Sequence, residues 1–138
     1  MAKDIIHNAV KNALIKDGWI ITDDPFRIIY EEFELFADLA AERTPIVAKK
    51  DGQKIVVEIK TFGGRSFVKD LQQALGQYTI YRDLMELTGA ENELYLAISE
   101  FVYNEFFMQR ATQAIVQRHQ LLLIVVNIER EEIVRWIN

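Results

Sequence analysis

The sequence predicts a mixed α/β domain, one mixed β-sheet with helices on both faces. Three observations carry this: apolar residues recur at helical spacing in three separate segments, β-type segments stand between and after them, and a long helix links two buried strands as a crossover. At 138 residues, a single domain spanning 1–138 is expected, large enough to bury roughly 68% of its unfolded surface.

Ile5, Ile6, Ala9, Val10, Ala13 and Leu14 repeat three and four apart, so 3–17 reads as the first helix, stopped by Gly18. Asp4, His7 and Lys11 are neighbours on its other face. Residues 27–30 and 34–41 read as strands, the second alternating Phe33, Leu35, Ala37 and Leu39 against Glu34, Phe36, Asp38 and Ala40. In Lys50-Asp51-Gly52-Gln53 the Asp-Gly pair accepts the positive φ angles of a type I′ turn, which predicts a two-residue hairpin into the strand KIVVEIK, 54–60. After the break at Gly63-Gly64, Ser66 caps a long helix carrying Phe67, Leu71, Ala74, Leu75, Tyr78, Leu84 and Met85 inward and ending near Gly89. Residues 94–98 form a buried strand, parallel to 54–60 by the right-handed crossover rule. A third helix uses Tyr103, Phe106, Phe107, Ala111, Ala114 and Ile115, and strands 121–128 and 133–137 follow, joined by a polar turn at 129–132. Its aromatics and Trp136 either cover the far side of the core or form an interface, as in a homo-oligomer.

The chain has no Cys, which excludes disulfides, thiol catalysis and Cys-based metal sites and suits a reducing compartment. Its N-terminal stretch alternates charged and apolar residues, unlike a signal peptide, and runs such as LLLIVV fall far short of the roughly 20 residues of a membrane span. A soluble cytoplasmic protein without a membrane partner is expected. The net charge of −5 conceals an asymmetry: residues 43–69 hold seven basic and two acidic side chains, a local +5. A polyanion such as DNA has its natural footing there, on Lys49, Lys50, Lys54, Arg65 and Lys69, although a short hairpin with solvated lysines has the same composition.

KIVVEIK is anomalous. Glu58 and Lys60 project from one face of a strand whose other residues are apolar. They form either an ion pair at the solvent boundary or a site, since burying both charges costs several kcal/mol per ion unless they are paired or bind a metal. Asp38 interrupts the preceding apolar strand in the same way. Two carboxylates beside one lysine suit a hard cation, Mg²⁺ or Mn²⁺, with Asp38 and Glu58 as metal ligands and Lys60 polarising water or a phosphoryl oxygen. On the long helix Asp70, Gln73, Gln77 and Tyr81 make one polar stripe, either a wet flank of the core or part of this site. A regular two-residue turn at Asp51-Gly52 places Pro45 opposite Glu58 and turns Asp38 to the wrong face; a one-residue bulge, with Pro45 its natural position, restores the site.

The joint order of His7 on a first helix, Asp38 on a strand, Glu58-x-Lys60 on the next strand and Gln77-x-x-x-Tyr81 on the following helix resembles the PD-(D/E)xK nuclease superfamily, also called restriction-endonuclease-like. That resemblance implies a three-layer sandwich whose helix, three strands, helix and strand fall within 1–98, with 99–138 as an added helix and two strands. It also implies catalytic roles for Asp38, Glu58, Lys60 and Gln77, support from His7 and Tyr81, and a Mg²⁺- or Mn²⁺-dependent cleavage of DNA. MAKDIIHNAVKNALIKDGW, KDGQKIVVEIKTF, QALGQY and the ending IVRWIN are similar to the fdxN element excision controlling factors of the XisH type. This second resemblance spans essentially the whole chain and implies a role in programmed DNA rearrangement beside a small partner, XisI. It leaves three functions open: a metal-dependent nuclease, a non-catalytic accessory protein that binds DNA or XisI on the same scaffold, or a nuclease-like toxin held by its small partner.

Overall fold

The computed structural model describes residues 2–43 and 52–138. The chain runs α1 (Ala2–Lys16), β1 (Ile20–Asp23), β2 (Phe26–Tyr30), β3 (Phe33–Ala37), β4 (Leu39–Arg43), β5 (Gln53–Ile59), α2 (Phe67–Leu87), β6 (Glu93–Ser99), α3 (Glu100–Val102), a π-helical turn (Tyr103–Phe107), α4 (Arg110–Arg118), β7 (Leu123–Asn127) and β8 (Glu132–Ile137). Six strands form one mixed sheet in the order β1-β4-β5-β6-β7-β8, and β2 and β3 form a separate two-stranded sheet. The central strands β5, β6 and β7 are parallel, and the outer pairings are antiparallel.

The central strands are apolar on both faces because helices cover both. Val56, Leu96, Ile98, Leu123 and Val125 pack toward α2 and the π-helical turn. Alternate residues, Ile55, Val57, Ala97, Ile124 and Val126, pack with Val10, Ala13 and Leu14 of α1. The helical spacing at the N-terminus and the Ser66 cap are as expected, with the Lys69 N–H donating to Ser66 Oγ at 3.2 Å. The expected parallel pairing pairs Val56 with Leu94.

Four sequence expectations are corrected. The four-residue edge strand β1 was absent from the reading, because its mostly exposed residues carry no alternation to detect. Residues 34–41 are not one strand: β3 pairs with β2, β4 pairs with β1 and β5, and the change of partner falls at Asp38. Gln53 pairs with Arg43, so the register of β4 on β5 is not the one that a regular two-residue turn with Lys50 opposite Gln53 would set. Lys49, Lys50, Asp51 and the bulge expected at Pro45 lie outside the described residues.

The third helix is the fourth correction. It breaks after a π-helical turn, with Gln109 in extended conformation before α4. The turn lets consecutive aromatics share one cluster: Phe106 stacks on Phe67 at 4.5 Å between ring centroids, while Phe107 meets Phe62 edge-on at 5.3 Å. Tyr103 and Phe107 are buried, Ala111 and Ala114 exposed, and Trp136 packs against Trp19 and Tyr95. Tyr103 and Phe107 thus serve the core of this chain.

Candidate active site

The antiparallel register pairs Leu39 with Val57, which brings Asp38 and Glu58 together at the next step of the ladder. There the backbone pairing gives way to side chains in both directions. The Asp38 N–H donates to Glu58 Oε1 at 3.2 Å, and the Ile59 N–H donates to Asp38 Oδ2 at 2.7 Å. This exchange holds the two carboxylates on one side of the sheet, and it is why an apolar strand tolerates an Asp where it changes sheets. Lys60 Nζ stands 3.5 Å from Glu58 Oε2, and His7 Nδ1 lies 4.0 Å from Asp38 Oδ1. Asp38, Glu58, Lys60 and His7 are therefore one cluster.

Its electrostatics favour a cation. Glu58 is 7% exposed. Burial, reinforced by the neighbouring negative charge of Asp38, pushes its carboxyl up to about 7, with Lys60 opposing the shift. Burial and the Glu58 charge raise the Tyr81 hydroxyl above its ordinary range and keep it protonated. That hydroxyl donates to the Phe36 carbonyl at 3.0 Å and accepts from Gln77 Nε2 at 3.0 Å, which ties α2 to β3. Because the single hydroxyl proton is committed to Phe36, Gln77 presents its amide nitrogen to Tyr81. Gln77 Oε1 is left buried with no partner among the described residues.

A cleft of about 690 Å³ opens over the cluster, lined by His7, Asp38, Ile59, Lys60 and Gly63 among others. A recess of about 170 Å³ shares Lys60 and Gly63 and adds Asp70 and Gln73 of α2. Asp70 accepts the Gly64 N–H at 2.9 Å, and a Cβ on Gly64 would meet its carboxylate at 2.6 Å, so a side chain there would push the Asp70 carboxylate aside. A second cavity of about 590 Å³, bordered by Arg82, Met85 and Val116, lies at the opposite end of the sheet and gathers none of these residues.

The basic residues divide. Arg43 donates to the Asp17 carbonyl at 3.0 Å and lies 4.8 Å from the centre of the Trp19 ring. Lys54 pairs with Glu91 at 3.4 Å and sits four residues before Glu58, about 13 Å along the strand. Arg65 directly follows Gly63 and Gly64, which line the recess, and Lys69 lies in the first turn of α2, one residue before Asp70.

Asp24 was missed. It stands directly after β1, where its carboxylate takes His7 Nε2 at 2.8 Å and Lys11 Nζ at 2.8 Å. The hydrogen bond from Lys11 leads in holding the Asp24 carboxyl below its usual value; burial opposes it, and His7 adds to the lowering. The only signal in the sequence was the spacing of His7 and Lys11, one helical turn apart and asking for a common acceptor.

Among the described residues no group of three His, Cys, Asp or Glu side chains is arranged as a metal site. The donor set is the pair Asp38 and Glu58. It fits a hard cation that takes one or two carboxylates from the protein and completes its shell with water and phosphate oxygens.

Comparison with known proteins adds family membership. The XisH protein family model matches residues 1–134. An XisH family protein from Nostoc punctiforme has 36% sequence identity and a TM-score of 0.87, with 98% of this chain and 100% of that one covered. An fdxN element excision controlling factor protein from Anabaena variabilis has 37% identity and a TM-score of 0.86, with 98% and 99% covered. No curated protein matches the chain. No helix among the described residues is long and apolar enough to cross a membrane. A model match over nearly the full length, together with two structures of the same architecture at more than one-third identity, means that the chain belongs to the XisH family.

Proposed function

We propose that this XisH family protein is a divalent-metal-dependent DNA nuclease acting in the cytoplasm in programmed DNA rearrangement, on a restriction-endonuclease-like scaffold. The observation that supports this most is the meeting of Asp38, Glu58 and Lys60 at one end of the sheet, under an open cleft. Asp38 and Glu58 would hold Mg²⁺ or Mn²⁺, which when bound polarises a phosphodiester and eases deprotonation of water. Lys60 steadies the phosphoryl oxygens from the cleft floor. Tyr81 and Gln77 brace the α2 side through the bond to Phe36 and offer the free Gln77 Oε1 as an acceptor. Arg65 and Lys69 attract the DNA backbone. The role in DNA rearrangement follows from the relative described as an fdxN element excision controlling factor. A small XisI-like protein is the partner we assign to the complex.

The test is cleavage of plasmid and linear DNA with Mg²⁺ or Mn²⁺, with and without that partner. Expected are cleavage abolished by EDTA and a loss of at least about 100-fold in Lys60→Ala. A second reading, a non-catalytic accessory protein, draws on the net charge of −5 and on the pairing of Arg43 and Lys54 within the chain. Absence of cleavage in wild type, together with metal-independent binding of DNA or of the partner, would favour it.

A further inference from the structure

His7 and Lys11 lie one turn apart on α1, and the two oxygens of Asp24 take one each: Oδ1 faces His7 Nε2 and Oδ2 faces Lys11 Nζ, both at 2.8 Å. The carboxylate is therefore clamped in orientation by the lysine, which leaves its other oxygen aimed at the imidazole. A carboxylate is an acceptor only, so the ring nitrogen it meets must carry the proton. The opposite nitrogen, Nδ1, faces Asp38 Oδ1 across 4.0 Å beside the cleft. A neutral ring with Nε2–H on Asp24 has its Nδ1 lone pair turned toward a second acceptor. Two acceptors at that separation accommodate one shared donor, such as a water molecule.

We propose that Asp24 is a positioning residue that fixes the Nε2–H tautomer and ring orientation of His7, so that Nδ1 is presented to the cleft as an acceptor for water held beside Asp38. Its consequence for catalysis rests on the nuclease reading; the tautomer does not. Carboxylate partners of this kind set which imidazole nitrogen is free, and losing one costs about 10- to 100-fold where the ring is functional.

The experiment is long-range ¹H–¹⁵N correlation of the His7 imidazole in the full chain at pH 8. Wild type is expected to show the Nε2–H form. Asp24→Ala is expected to mix the two tautomers, while Lys11→Met leaves the Nε2–H form in place. An Nδ1–H ring in wild type, or an unchanged tautomer in Asp24→Ala with the fold intact by amide spectra, overturns the proposal. Cleavage assays make a separate arm. If wild type cleaves DNA, Asp24→Ala should lower kcat about 10- to 100-fold with little change in KM, and in a His7→Ala background Asp24→Ala should cost nothing further. Additive losses in that double variant would also overturn the proposal. If wild type is inert, the nuclease reading falls and the NMR result still decides the role of Asp24.

Discussion

Glu58 concentrates the tension of the site. Its carboxyl is raised from 4.5 to about 7 in the folded chain by burial and by Asp38. The folded state therefore binds that proton more tightly than the unfolded state does. The resulting stability is complete below about pH 4.5 and is lost as pH rises through about 7. Thermal melts should show Tm falling over this window, with Glu58→Gln removing a pH-dependent contribution on the order of 3 kcal/mol. At pH 8 millimolar Mn²⁺ should raise the Tm of wild type and leave Glu58→Gln unmoved, since a ligand stabilises only the state that binds it. Equal Mn²⁺ affinity of wild type and Glu58→Ala in calorimetry would refute the assignment of this carboxylate. The Glu58-x-Lys60 spacing was legible because two charges broke an apolar strand. Asp24 was not, because an Asp after an unrecognised edge strand has no pattern to interrupt.

Among elements, the tie between α2 and β3 rests on one hydroxyl. Tyr81→Phe keeps the ring but strands the Phe36 carbonyl and frees the Gln77 amide. Urea unfolding should report a loss of about 1–2 kcal/mol. The π-helical turn is a packing device in the same sense. Phe107, 1% exposed, closes the aromatic cluster with Phe62 and Phe67, and Phe107→Ala should cost about 3–5 kcal/mol in the same measurement. The sequence showed that these aromatics lie inward but not that the helix must break, because helical spacing describes a regular helix. The departure here comes from matching Phe106 and Phe107 to the start of α2.

Across the whole molecule, charge is distributed unequally around the sheet. Arg43 and Lys54 answer Asp17 and Glu91, whereas Arg65 and Lys69 flank the start of α2, next in sequence to Gly64 and Asp70 of the recess. If DNA lies over the cleft, Arg65→Ala with Lys69→Ala should flatten the log–log dependence of affinity on salt by up to about 1.8, while Lys54→Ala should change it little. Fluorescence anisotropy across a salt series checks this, and the reverse ordering would move the contact surface to the far end of β5.

What the sequence determined by itself was whatever depends on local periodicity. That includes the amphipathic first helix, the capped long helix, the parallel pairing of the strands it links, and the candidate residues Asp38, Glu58 and Lys60. What only the tertiary structure decided was register. The Asp-Gly dipeptide favours a tight turn by a modest local preference. Pairing β4 with β5 at Arg43 and Gln53 instead fills both faces of the sheet with apolar residues and satisfies the carboxylates at its end. That pairing sets Asp38 beside Glu58, and the same packing seats α1 and β1 so that Asp24 reaches His7. Burial over a whole sheet sets that register, and no window of the sequence contains that sum.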